Sequence, residues 1–326
     1  MSFPYDSSGY DSSGYDSSEY KGFEQELEQK TAYCEKVLRS RIPAPEDLAG
    51  SDACASVVVD AMHYSVMAGG KRLRPLFLME TCRMYGGRAE LAEPFMAALE
   101  MIHNYSLVHD DMPAMDNDEY RRGRKTTWVA YGEGMAVLAG DALLNYAYET
   151  GLTAFDLCEN SEEYMRVVKA LKILARNAGI YGMVGGQCAD LEAEKKPQET
   201  DAETLEYIHK HKTACMIESG FVIGALLAGA PQEDVDKLDR IAENIGVAFQ
   251  IKDDILDVIG DSEELGKPVG SDEEEGKVTY VTMYGIDKAA EDVRTLSEEA
   301  LSLFDSLSVQ NGFLRELIVK LISRTK

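Results

Sequence analysis

From Phe23 onward, apolar residues recur at three- and four-residue spacing over stretches of ten to twenty positions, as in AELAEPFMAALEMIHNYSLVHD (89–110). A stripe at that period covers one side of an α-helix. The stretches are punctuated by Gly, Pro or polar residues at IPAPEDLAGS (42–51), YGGRAELAEP (85–94), GEG (132–134), KKPQETDAE (195–203), GAPQED (229–234) and GDSEELGKPVGSDEEEGK (260–277). Strand-like patterning is nowhere convincing, so the sequence predicts about ten helices and an all-α architecture. The last break is rich in Gly and charge, and a loop of that length reads as a functional lid. Apolar patterning runs unbroken through the two acidic clusters considered below, which predicts one domain over residues 23–326.

Residues 5–20, YDSSGYDSSGYDSSEY, repeat every five positions. They have too little apolar surface to offset the entropy of ordering, so residues 1–22 are expected to form a disordered tail. The remaining composition is that of a globular chain, with 45% hydrophobic residues. A net charge of −25 argues against nonspecific binding to nucleic acid or anionic lipid, so cations that grip an anion must be local. The six cysteines (Cys34, Cys54, Cys82, Cys158, Cys188, Cys215) are scattered without a CxxC pair, which suggests reduced thiols and neither a zinc nor a redox motif. The weakly polar run Phe221–Ala230 is too short to span a bilayer, and no secretory pattern opens the chain. The expectation is a soluble cytoplasmic protein without stable membrane insertion.

Two aspartate clusters change the picture from fold to chemistry. SLVHDDMPAMDNDEYRRGR carries Asp110, Asp111 and Asp116, and AFQIKDDILDV carries Asp253, Asp254 and Asp257, each closing an apolar helical run. Carboxylates at i,i+4, such as Asp253 and Asp257, share a helix face and repel unless something positive lies between them. Oxygen-only clusters favour hard cations, and Mg2+ is usually completed by water and substrate phosphates. Cationic segments stand nearby: Gly69-Gly70-Lys71-Arg72-Leu73-Arg74-Pro75, and Arg121-Arg122-Gly123-Arg124-Lys125 after the first cluster. Glycine lets backbone approach a ligand, Arg grips phosphate in two places and Lys acts as a point charge. His103 lies two helical turns before Asp110 on the same face. Taken alone, each motif also reads as a solvated charged surface; together they suggest a metal-plus-diphosphate site.

These segments resemble the trans-type isoprenyl diphosphate synthases, most closely the bacterial farnesyl diphosphate synthases, over about residues 35–326. The likeness rests on GGKRLRP (69–75), IHNYSLVHDDMPAMDNDEYRRGR (102–124), GMVGGQCADL (182–191), HKTA (211–214), FQIKDDILDV (249–258), GKPVGSD (266–272) and GKVTY (276–280), in family order. It implies a bundle of mostly antiparallel helices around a deep central cavity, with both acidic motifs facing each other across its mouth, and a homodimer. It also implies a Mg2+-dependent head-to-tail (1′-4) condensation of isopentenyl diphosphate with an allylic diphosphate, dimethylallyl or geranyl, giving farnesyl diphosphate. Carried over residue by residue, Asp110, Asp116 and Asp253 match ligands of three Mg2+ ions, with Asp111, Asp254 and Asp257 as helpers. Gly70, Lys71, Arg74, His103 and Arg122 match the positions around the diphosphate of isopentenyl diphosphate. Arg121, Lys212 and Lys267 match those around the allylic diphosphate, Thr213 and Gln250 lie beside the reacting carbons, and Lys277 is a lid lysine. The chemistry needs no protein nucleophile, only charge withdrawal and a cavity that keeps water from a carbocation.

In that family the product stops growing at bulky side chains on the helix leading into the first motif. Tyr105 stands five residues before Asp110, about 7.5 Å along a helix, with the small Ser106 beside it. The aromatic, with the two-residue insertion that makes DDxxxxD, points to a C15 product; a C20 geranylgeranyl synthase is the alternative, and ordinary core packing is the bland reading of Tyr105. A noncatalytic subunit of a heteromeric synthase would be expected to lose one acidic motif, and a terpene cyclase to replace the second; this chain keeps both. An HD-type phosphohydrolase lacks further ligands at suitable spacing. Two departures from the family pattern are Lys252 before Asp253, and Trp128 where histidine is frequent.

Overall fold

The computed structural model describes residues 19–259 and 277–323, whose packing falls into two units, one ending at Leu171 and the other beginning at Lys172. The first 18 residues of the expected tail, the lid segment 260–276 and Lys267 lie outside the described residues.

In the first unit, α1 (Glu19–Arg41) begins four residues inside the expected tail. It is followed by α2 (Ser56–Val66), α3 (Leu73–Met84) and α4 (Ala89–Asp110). Helix α4 is apolar nearly all round, burying Leu91, Phe95, Met96, Leu99, Met101 and Ile102. Such a helix belongs in a core, and each of these side chains contributes about 1.5–3 kcal/mol on burial. That gain carries the helix through Pro94, which sits in its second turn, so the break expected over 85–94 ends at Arg88. Buried charges are paired: Lys30 of α1 donates to Glu80 of α3 at 2.6 Å, and Arg72 to Glu100 of α4 at 2.7 Å.

After α4 comes a two-residue antiparallel hairpin, β1 (Tyr120–Arg121) and β2 (Arg124–Lys125). Arg122 and Gly123 turn it with φ of 52° and 72°, the pair of positive values that a tight type I′ hairpin requires. The pattern predicted no strand, because two residues are too few to show a period. Helices α5 (Thr127–Tyr131), α6 (Glu133–Leu152) and α7 (Ser161–Ala178) complete the stretch, α6 packing along α4 and α7 running over the boundary.

The second unit contains α8 (Met183–Lys195), α9 (Ala202–Ile208), a π-helical turn at His209–Ala214, α10 (Cys215–Ala228) and α11 (Gln232–Ile259). Beyond the lid lie α12 (Tyr280–Tyr284), α13 (Ile286–Asp305) and α14 (Gly312–Ser323). The long α11 is the axis of this unit: α10 packs on it, and Ile251 and Ile255 meet Ala289 and Val293 of α13. Strand pairing among the described residues is confined to the hairpin, which confirms the all-α class. No helix among them is long and apolar enough to cross a membrane.

Candidate active site

Asp110 is the last residue of α4, where the chain leaves the helix, curls and returns. The N–H of Asp116 donates to the carbonyl of Asp110 at 2.9 Å and that of Asn117 to the carbonyl of Met112 at 3.1 Å, after which Asn117 turns the chain with φ 57°. The five intervening residues therefore close a loop that brings Asp116 back to Asp110. Asp111 is buried and accepts from Arg121 Nε at 2.6 Å. Burial pushes its carboxyl up to about 6, against the pull of the Arg121 guanidinium.

The cations of this unit divide into two kinds. Arg72, read with its neighbours as anion-binding, is buried instead: it donates to Glu100 and to the carbonyl of Val66 at 2.7 Å and ties α3 to the end of α2 and to α4. Lys71 remains exposed, and Arg74 lies half-buried on α3. Arg122 Nη1 donates to the carbonyl of Gly69 and lies flat against Gly70, where an added Cβ would stand 2.8 Å from that nitrogen. Gly70 thus makes room for a guanidinium from the hairpin. Burial and the surrounding Arg74, Arg122, Arg121 and Arg72 hold His103 well below the ordinary histidine range, so its ring is neutral. A small pocket collects Asp111, Arg121 and Arg122 with Asn104 and Thr127. Trp128 donates to the carbonyl of Asp118 at 2.8 Å and braces the same loop.

Tyr105 and Ser106 sit one turn above. Tyr105 is buried with its ring edge-on to His109, 5.9 Å between centroids. His109 in turn presses on α6, where a Cβ on Gly140 would fall 2.1 Å from its Nε2. Ser106 donates to the carbonyl of His103.

In the second unit, Lys212 and Thr213 stand in the π-helical turn, a geometry often retained at functional sites. Gly186 of α8 packs so closely that an added Cβ would lie 2.1 Å from the Lys212 nitrogen. Thr213 Oγ1 donates to Gln250 Oε1 at 3.0 Å, so the pair expected beside the reacting carbons is in contact. Lys212 pairs with Asp190, and Lys277 with Glu194 at 3.2 Å. Asp254 is buried and accepts the Tyr280 N–H at 2.8 Å; Asp257 is buried and Asp253 half-buried one turn apart on α11. His209, 3.9 Å from Asp254, is lowered to about 4 by burial and stays neutral there. A pocket of about 130 Å³ gathers Lys212, Gln250, Asp254 and Lys277 with Asp190 and Glu194. Those two acids were not singled out in the sequence, although Asp190 lies within GMVGGQCADL.

Among the described residues no three His, Cys, Asp or Glu side chains converge as a ready-made metal group. The donors nonetheless fit Mg2+: they are carboxylate oxygens at helix and loop ends, and this ion takes few protein ligands and completes its shell with water and phosphate.

An all-α protein whose helices end in aspartates beside cation-lined pockets belongs to the class of helical enzymes that act on diphosphates. The chain is a member of the polyprenyl synthetase family, whose pattern matches residues 55–310. It is 44% identical over 265 residues to a geranylgeranyl diphosphate synthase of Cyanophora paradoxa, covering 80% of this chain and 87% of the relative. It is 45% identical over 276 residues to a dimethylallyltranstransferase of Fischerella ambigua (84% and 75%), and 40% over 304 residues to a heterodimeric geranylgeranyl pyrophosphate synthase large subunit 2 of Arabidopsis thaliana (93% and 76%). Among solved structures, an FPP/GFPP synthase from Zymomonas mobilis superposes with a TM-score of 0.80 at 31% identity, over 93% of this chain and 99% of that one. A geranyltransferase from Helicobacter pylori, complexed with magnesium and isoprenyl diphosphate, superposes with a TM-score of 0.75 at 30% identity (95% and 98%). The chain is therefore a prenyl diphosphate synthase, a transferase that joins isopentenyl diphosphate to allylic diphosphates. The particular likeness to farnesyl synthases is too narrow, since geranylgeranyl synthases stand among the similar relatives.

Proposed function

We propose that the chain makes geranylgeranyl diphosphate, C20, by successive additions of isopentenyl diphosphate to an allylic diphosphate. The observation that carries the C20 reading is the likeness to relatives named geranylgeranyl synthases, at 44% and 46% identity. Tyr105 stands edge-on to His109 of its own helix, and His109 is wedged against Gly140 of α6. The second reading, farnesyl diphosphate, is favoured by the bulk and burial of that same ring five residues before Asp110.

In this reading Lys71, Arg74, His103 and Arg122 hold the diphosphate of isopentenyl diphosphate. The neutral His103 offers a hydrogen bond without adding to four neighbouring positive charges. Arg121 and Lys212 hold the allylic diphosphate, each exchanging a carboxylate partner, Asp111 or Asp190, for phosphate oxygens. Asp110, Asp116 and Asp253, helped by Asp111, Asp254 and Asp257, would hold Mg2+, which when bound draws off the negative charge that grows as the allylic C–O bond ionises. Thr213 and Gln250 turn oxygen dipoles toward the carbon that becomes positive. Lys277 closes over the site from the segment beyond the lid, and the partner subunit of a homodimer completes the assembly.

The test is incubation of purified protein with isopentenyl diphosphate, geranyl diphosphate and Mg2+, then dephosphorylation and chromatography of the alcohols. Geranylgeraniol is expected. Farnesol as the end product would return the C15 reading, and absence of product from folded protein would favour a subunit that needs a heteromeric partner.

A further inference from the structure

Lys30–Glu80 and Arg72–Glu100 are ion pairs of the first unit in which both side chains are buried, 2% and 1% exposed in the one and 1% and 3% in the other. Taking two charges out of water is costly, and apolar side chains of similar volume often serve stability as well or better. Stability alone is therefore a weak reason for either pair, and what each one holds becomes the question.

Arg72 closes the turn between α2 and α3. Only residues 67–72 separate Val66, the last of α2, from Leu73, the first of α3. Within them Gly69, Gly70 and Arg72 take φ of 86°, 138° and 49°, and for an arginine that backbone costs about 1 kcal/mol or more. Glycine at position 72 would avoid the cost. Arginine adds a side chain that folds back across the turn, donating to the carbonyl of Val66 and to Glu100, each at 2.7 Å. The two ends of the turn are thereby fixed to each other and to the middle of α4.

The groups assigned to the diphosphate of isopentenyl diphosphate hang from this strut. Lys71 precedes Arg72, and Arg74 follows two residues later. Gly69 of the same turn accepts from Arg122 Nη1, and Gly70 lies against that guanidinium. His103 stands one turn beyond Glu100 on α4. Asn104, which lines the small pocket with Arg121 and Arg122, donates to the Glu100 carbonyl at 2.8 Å. Lys30 and Glu80, by contrast, have none of the assigned site residues within five positions along the chain.

We infer that the Arg72–Glu100 pair is a positioning element of the isopentenyl diphosphate site, on the reading that Lys71, Arg74, His103 and Arg122 form that site. It holds the turn so that mutually repelling cations stand ready for one anion, and a turn fixed beforehand gives up less freedom when the anion binds. Glu100 has a second part. Burial first, and the Arg72 charge among others, hold His103 and Arg122 below their ordinary ranges, while Glu100 pulls Arg122 back up.

Steady-state kinetics of the full chain, beside a thermal melt of each variant, test it. The double variant Arg72→Met with Glu100→Leu leaves no buried charge unpaired and is expected to fold, yet to raise the KM for isopentenyl diphosphate at least about tenfold while the KM for the allylic diphosphate stays within about twofold. Lys30→Met with Glu80→Leu, the same exchange at the other pair, should leave both KM values as they are. Arg72→Lys keeps a charge beside Glu100 but gives up the bond to Val66; it should raise the KM for isopentenyl diphosphate about threefold, and it decides the matter where the double variant does not fold. An unchanged KM for isopentenyl diphosphate in the folded double variant, or in Arg72→Lys where that variant does not fold, would overturn the inference. So would an equal rise for both substrates, or the same rise from the Lys30–Glu80 exchange. Lys71→Ala separates this from the reading beneath it: a rise of at least about tenfold in the same KM keeps the site where it is placed whatever the pair does, and no rise removes the site and the inference together.

Discussion

Arg122 holds a left-handed backbone that non-glycine residues adopt at a cost of about 1 kcal/mol or more, and it lays its guanidinium on Gly70. Strain and side chain can be separated. Arg122→Gly is expected to keep or raise the melting temperature while raising the KM for isopentenyl diphosphate at least about tenfold, the loss of one charge-assisted contact; steady-state kinetics beside a thermal melt check it, and an unchanged KM would remove Arg122 from the site. A second residue-scale effect lies in the α10–α11 seam. Burial and the neighbouring Asp239 push Glu218 up to about 7, although Asn177 donates to it at 2.9 Å. Because the folded value is raised, its contribution to stability is complete below the ordinary value of 4.5 and is lost as pH climbs through about 7. Glu218→Gln keeps the acceptor for Asn177 and should flatten that decline, adding about 1–2 kcal/mol at pH 8 after allowance for solvent screening; denaturant melts at pH 5 and pH 8 would show it. At this scale the aspartate motifs and most cations were legible, because their chemistry is local. Arg72 and Asp190 were misread or passed over, since what decides their part is a partner 28 or 22 residues away.

Helices were legible as elements wherever one face or the whole circumference had to be buried, as in α4, α10 and α11. The hairpin at Tyr120–Lys125 and the π-helical turn at His209–Ala214 were not, because a two-residue strand and one extra residue in a helical turn leave no mark on apolar periodicity. Yet these two elements carry Arg121, Arg122, Lys212 and Thr213. Helix α8 comes so close to the π-turn that Gly186 has no room for a Cβ, which would fall 2.1 Å from the Lys212 backbone nitrogen. Gly186→Ala must move one helix or the other. It is expected to cost about 1–3 kcal/mol, as overpacking does, and to lower turnover at least about tenfold by shifting Lys212 and Thr213. Gly134→Ala on α6 is the control: nothing lies within 4 Å of the added atom, and a helical alanine there should stabilise by up to about 1 kcal/mol with turnover unchanged. Equal effects from both substitutions would mean that the close approach of α8 has no special bearing on the site.

At the scale of the whole chain, a net charge of −25 sets the problem that the site must solve. Diphosphates are repelled from afar and must be held by local cations, several of which sit on carboxylates in this structure, while divalent cations are drawn in. The fold of the described residues is held by apolar cores on α4 and α11 and by buried pairs such as Lys30–Glu80. That separates it from small zinc domains, where ligand and fold are lost together. Chelation is therefore expected to abolish turnover, by at least about a hundredfold, while moving the melting temperature of the substrate-free protein by less than about 2 °C, the shift that well under 1 kcal/mol would give a chain of this size. Restoring Mg2+ should restore the rate without a refolding lag. A large fall in melting temperature on chelation would instead show that the acidic motifs, left without a cation, repel strongly enough to loosen the ends of α4 and α11, and that the metal belongs to the architecture as well as to the chemistry.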